Sequence, residues 1–184
     1  MGELRNRVVQ VRRFGGPEGL EVVDAPLPRA GAREVRVRVL ASGLEYTDTL
    51  IRRHLYPQTA SRRPPFVMGY DVVGEIDQLG DGVSGFQLGD RVADMTVLGS
   101  NAAYRTLRAS HLAPVPASVD AAEAATLILS WMTAYHSCTA LRRCSEDSAY
   151  WCMELPVQSA RRCSYSAAWP DYSCGAVPTG GTPR

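Results

Sequence analysis

The run EVRVRVLASG, residues 34–43, constrains the fold more than any other stretch of the chain. Val35, Val37 and Val39 alternate with Arg36 and Arg38. Successive side chains of a strand point to opposite faces, so three apolar groups share one face and the charges take the other. This is a half-buried strand, and its apolar face needs cover. The surrounding sequence supplies more strands, separated by turns. NRVVQVRRF ends at the turn GGPEG, and LEVVDAPLP follows it to a proline stop. FVMGYDVVGEIDQLG has Gly69 and Gly74 inside a β-rich run, which marks a bulge or sharp bend. After the turn DGVSG, QLGDRVADMTV and AAYRTLRASHLAPVP continue the pattern to about Val115. With only one early helix, about Thr47 to His54, the expected architecture is mainly β, a closed or strongly bent barrel with short helices.

The character changes at VDAAEAATLILSWMTAYH. Asp120 followed by Glu123 resembles a capping box, and the alanine-rich run after it has high helix propensity. Leu127, Ile128, Trp131 and Tyr135 recur at helical spacing, so the expected helix over 120–136 presents an apolar face. That face either packs on the barrel or leads into a second domain.

Charge and cysteine usage exclude several classes of function. The formal charge of +1 provides no basic field for nucleic acid or an anionic membrane. No apolar run approaches the roughly 20 residues that span a bilayer, and the polar opening MGELRNRVVQ is unlike a secretory signal. A cytoplasmic location is therefore expected. All five cysteines, at positions 138, 144, 152, 163 and 174, follow residue 137. They contain no C-x-x-C pair and have only His136 nearby, so neither a zinc cluster nor a disulfide framework is expected.

The ordered series GGPEGLEVVDAPLPRAGAREVRVRVLASGLEYTDTLIRRHLYP, PPFVMGYDVVGEIDQLG and DGVSGFQLGDRVAD resembles the N-terminal GroES-like domain of the medium-chain dehydrogenase/reductase superfamily. Within that superfamily it is most similar to the zinc-independent quinone oxidoreductases, the zeta-crystallin-like branch, over about Val8 to His136. The resemblance divides the chain into a GroES-like domain (1–119), a helix leading toward a Rossmann domain (120–136) and a tail (137–184).

Zinc is tested by aligning motifs. Where the alcohol dehydrogenase branch carries a Cys-His pair this chain has Glu45 and Tyr46, and where that branch reads Gly-His-Glu it has Gly69, Tyr70 and Asp71. The thiolate and imidazole ligands are replaced, so no metal is expected. Glu45 and Asp71 could bind a hard cation, but salt-bridged or solvated carboxylates are the commoner outcome.

The resemblance implies hydride transfer from NADPH to a small quinone or enone, with a homodimer as the assembly of the intact family member. It assigns Tyr46 to the substrate cleft and Tyr56 to the nicotinamide side, and a phenol can both stack on a ring and donate to a developing oxyanion. These two are the catalytic candidates, with ordinary half-buried tyrosines as the alternative. Thr133 matches a cofactor-contacting threonine, and Asp48 an aspartate with a structural role at a helix start. Glu45 falls at a cofactor-binding position where the branch usually has asparagine, and His54 where it usually has glycine. A carboxylate beside cofactor phosphates would repel them.

The family's second half should follow, with a glycine-rich turn holding the dinucleotide pyrophosphate at a helix N-terminus. Residues 137–184 show no such pattern, and as written the Rossmann domain is missing. Joining the third base of each codon to the first two of the next, with permitted synonyms, converts Glu146 to Tyr172 into GQRVLVHGASGAVGQALLVLGRLAGL. Five of those positions allow no amino-acid choice (Leu, Val, Gly, Ala and Leu), and all suit a Rossmann βα unit. The expectation is a frameshift between His136 and Glu146, a disordered tail, and a truncated chain inactive on its own. A non-enzymatic GroES-like interaction module and an enoyl-thioester reductase fragment are the alternatives.

Overall fold

A computed structural model describes residues 5–143, and the side chains of residues 5–136. The expected mainly β, GroES-like architecture is what these residues adopt. The strands in chain order are β1 (Asn6–Val11), β2 (Leu20–Ala25), β3 (Glu34–Ala41), β4 (Phe66–Val67), β5 (Asp71–Leu79), β6 (Arg91–Met95), β7 (Tyr104–Arg108) and β8 (Ala113–Pro114). The helices are α1 (Tyr46–Arg52), α2 (Ala121–Leu127) and α3 (Leu129–Arg143).

The strands form a three-stranded sheet, β2-β1-β4, and a five-stranded sheet, β7-β3-β5-β6-β8, with every pairing antiparallel. One short segment ties the sheets together. Asn101 accepts from the Val9 amide at 2.8 Å, Ala103 donates to Arg7 at 2.8 Å, and the Ala103 carbonyl accepts from Val39 at 2.9 Å.

The Val/Arg alternation sets the core. Val35 and Val37 are fully buried and pack with Val72, Ile76, Val92 and Leu107. Burying each such side chain contributes about 1.5–3 kcal/mol. The opposite face of β3 is laced with ions: Arg36 forms a two-point pair with Asp77 at 2.8 and 3.0 Å, and Arg38 reaches Glu75 at 3.2 Å. The expected bulge is present at Gly74. The β3–β5 register shifts between Val39 and Ala41, opposite Gly74 and Val73, and a Cβ at Gly74 would meet the Arg38 carbonyl and Val37 Cβ, each at 2.9 Å.

Both helices near the expected positions differ in extent. The early helix starts one residue before the expected Thr47 and ends at Arg52, because His54 takes a left-handed φ of 60° that breaks the helical path. The single helix expected over 120–136 is two helices. Asp120 caps α2 as expected, its Oδ1 accepting from the Ala122 amide at 2.9 Å and the Glu123 amide at 3.1 Å. The helical path is then interrupted at Ile128, whose ψ is −72°. The next helix continues to Arg143, since Ser137 to Arg143 contain neither glycine nor proline to stop it.

The chain divides into two compact units, Met1–Leu129 and Ser130–Arg184, so α2 belongs to the first. There Ala124 and Ala125 pack with Val73, Ala41, Ala93, Val119 and Ile128. Of the tail expected over 137–184, residues 144–184, with four of its five cysteines, lie outside the described residues. None of the described helices is long and apolar enough to cross a membrane.

Candidate functional site

Two turns of the first unit bring together residues far apart in sequence. In the first, Gly69 turns the chain into β5 at a φ of 105°, where a Cβ would meet the Asn101 amide nitrogen at 2.5 Å. Its neighbours are clamped by residues 96–101. Thr96 donates its amide to the Tyr70 carbonyl at 2.7 Å, and Met68 accepts from the amides of Gly99 and Asn101 at 3.1 and 2.8 Å. These bonds fix the backbone that carries Tyr70 and Asp71.

The second turn follows α1. The left-handed His54 reverses the chain, its ring lying 4.1 Å from that of Phe14. The φ of 60° explains why glycine suits this position in the resembled family. Tyr56 comes next, held by the buried Thr59, whose amide and hydroxyl donate to the Tyr56 carbonyl at 3.1 and 3.2 Å.

The two turns place the Tyr56 and Tyr70 hydroxyls 3.3 Å apart, with ring centroids at 6.4 Å in an edge-to-face arrangement. Tyr70 is buried and Tyr56 half-buried. Burial, then the hydrogen bond to Tyr56, then the nearby phenol and carboxylate charges push the Tyr70 hydroxyl up to about 12.

Two carboxylates, Asp48 and Asp71, bear on Tyr70, and Glu45 bears on both of them. Asp48 is buried, and its Oδ2 accepts from the Glu45 amide at 2.9 Å, the structural role expected for it at the start of α1. Burial raises the Asp48 carboxyl above its ordinary range, and the Glu45 amide draws it partway back. Asp71 is fully buried against Gly43, where a Cβ would meet Asp71 Oδ2 at 2.7 Å. Burial, followed by the charges of Glu45 and Asp48, pushes Asp71 up to about 7.

The candidates read from sequence are distributed unevenly over this geometry. Tyr56 lies within the phenol pair, and Glu45 at the head of α1 acts on Asp71 and Asp48. Tyr46, the first residue of α1, is 70% exposed. Thr133 lies on α3, in the other unit. Tyr70 was legible in the sequence only as a residue standing where the zinc branch has histidine. Its partnership with Tyr56 leaves no periodic signal, because the two residues sit on separate turns.

The residues fit an acceptor and the ring end of a nicotinamide better than a whole dinucleotide. The Tyr56–Tyr70 pair offers stacking surface and a hydroxyl donor. Among the described residues there is no glycine-rich turn at a helix N-terminus to hold a pyrophosphate. Nor do the described residues contain a group of three or more His, Cys, Asp or Glu arranged to hold a metal ion. The donors in the zinc-branch positions are phenol and carboxylate oxygens, a poor match for zinc.

Comparison with known proteins shows what the chain is similar to. The alcohol dehydrogenase GroES-like domain family matches residues 31–117. A quinone oxidoreductase of Pseudomonas aeruginosa is 37% identical over 126 residues, covering 68% of this chain and 38% of that protein. A mycobacterial structure complexed with NADPH superposes with a TM-score of 0.64 at 34% identity, over 71% of this chain and 40% of the other. The Escherichia coli quinone oxidoreductase complexed with NADPH has a TM-score of 0.64 at 29% identity, over 71% of this chain and 39% of the other. The chain spans about two fifths of the length of the curated relatives it matches.

Proposed function

The chain belongs to the quinone oxidoreductase branch of the medium-chain dehydrogenase/reductase superfamily through its alcohol dehydrogenase GroES-like domain, and on that premise we propose that residues 5–129 form the acceptor side of an NADPH-dependent reductase of quinones or other conjugated carbonyls. The observation that carries this reading is the Tyr56–Tyr70 hydroxyl pair. NADPH, when bound, supplies the hydride. This chain supplies position and a proton donor. Either hydroxyl could donate across the 3.3 Å contact, and in this reading the buried Tyr70, its hydroxyl pushed up to about 12, is the donor to Tyr56 Oη. The Tyr56 proton is then directed away from Tyr70, toward the oxygen of a carbonyl acceptor, where it stabilises the negative charge that develops during reduction. Exposed Tyr46 offers an aromatic face to a planar acceptor.

The reaction proceeds without zinc, because Glu45, Tyr46, Tyr70 and Asp71 supply hard oxygen atoms where the zinc branch has thiolate and imidazole. The substrate is a small molecule, the protein acts in the cytoplasm, and the intact enzyme is a homodimer. Glu45 borders the cofactor side, where its carboxylate favours the amide end of a nicotinamide over a phosphate. Thr133 is taken as a further cofactor contact from the family resemblance of its motif alone.

The nucleotide-holding unit is encoded in the other frame across codons 146–172. Sequencing the DNA and expressing both frames tests this. The frame-restored protein is expected to oxidise NADPH in the presence of benzoquinone, while the chain as written does not. Tight NADPH binding by the chain as written in a calorimetric titration would contradict the proposal.

A further inference from the structure

Asp71 is an unusual carboxyl group for so central a position. It has no exposed surface, and neither oxygen makes a hydrogen bond of ordinary geometry. Gly43 packs directly against Oδ2, and among the described residues no ion pair reaches the group. The ionisable groups that bear on it are all acidic: Glu45 and Asp48 from α1, and the Tyr70 phenol beside it. The Leu129 backbone amide offers some compensation. An ionised carboxylate in such surroundings costs far more than a neutral acid.

We infer that Asp71 is a positioning residue of the proposed site, acting through Tyr70 on the Tyr56 hydroxyl: the pair donates strongly while the Asp71 carboxyl is neutral and weakly once it ionises. The charge of ionised Asp71 tightens the hold of Tyr70 on its proton. A less acidic Tyr70 is a poorer donor to Tyr56 Oη, and Tyr56 is then less polarised toward an acceptor. This role rests on the reductase reading, but its test does not require turnover.

The test uses the full chain, without NADPH or quinone. Infrared spectroscopy across the pH range follows the carbonyl stretch of protonated carboxyl groups, and ultraviolet absorbance follows phenolate formation. Wild type is expected to show a protonated carboxyl band that disappears with a midpoint near pH 7 and is absent from Asp71→Asn. The most alkaline phenol should titrate roughly half a pH unit lower in Asp71→Asn. If Asp71→Asn fails to fold, Glu45→Gln replaces it, and the carboxyl midpoint should fall because a repelling charge is gone. The absence of any carboxyl band titrating near neutrality overturns the role, as does an unchanged phenol titration in Asp71→Asn. Failure of quinone reduction by the frame-restored protein would instead count against the reductase reading.

Discussion

The hydroxyls of Tyr56 and Tyr70 lie 3.3 Å apart, although one tyrosine follows a helix and the other precedes a strand. Their rings meet edge to face at 78°. The pair makes unequal demands on its members. Tyr70 is buried, and Tyr56 is half-buried and so the member of the pair that can meet a ligand.

Substitution separates the two roles. In the frame-restored protein, Tyr56→Phe removes the donor to the acceptor and is expected to lower kcat by about 100-fold, the cost of losing one oxyanion donor. Tyr70→Phe leaves Tyr56 in place and only depolarises it, so a loss of about 10-fold is expected. Steady-state oxidation of NADPH with benzoquinone measures both. Equal losses would contradict the division of roles.

Asp71 makes stability depend on pH with a defined sign. Its native value of about 7 exceeds the ordinary 3.8, so between these values the folded chain holds a proton that the unfolded chain has released. This contribution to stability is complete below the ordinary value and is lost as pH rises through about 7. At about pH 8, Asp71→Asn is expected to be more stable than wild type by roughly 4 kcal/mol, with the difference vanishing in acid. Denaturant unfolding followed by far-ultraviolet circular dichroism, at both ends of the range, checks the sign.

Gly74 is required by packing. A Cβ there would stand 2.9 Å from both a backbone carbonyl and a core Cβ, and neither can move freely. Gly74→Ala is expected to destabilise the chain by about 1–3 kcal/mol, seen as a lower midpoint of thermal unfolding.

Loss of the helix cap is a smaller effect. Asp120→Ala removes an acceptor from two amides at the start of α2, and a cost of about 1 kcal/mol is expected in the same assay.

The sequence was most informative where structure depends on neighbours along the chain. The alternation of Val35 and Val37 with Arg36 identified β3 and its buried face, Asp120 identified the start of α2, and Gly74 marked a bulge. Relationships between distant segments were hidden. Tyr70 and Asp71 were visible as replacements of zinc-branch residues, but their approach to Tyr56, Glu45 and Asp48 depends on the clamp of residues 96–101 on Met68 to Tyr70. The interruption at Ile128 was likewise unreadable, because an alanine- and leucine-rich run with no glycine or proline gives no breaking signal. Ile128 instead packs with Val73 and Ala125, a tertiary contact.

The acceptor-side role of this domain in an NADPH-dependent reductase is open to direct measurement. The most direct measurement is the rate of NADPH oxidation by the frame-restored protein with and without benzoquinone, for wild type and Tyr56→Phe. Quinone-dependent oxidation by the wild type that falls about 100-fold in Tyr56→Phe is the expected result. No quinone-dependent oxidation, or an equal rate in the two proteins, would contradict it.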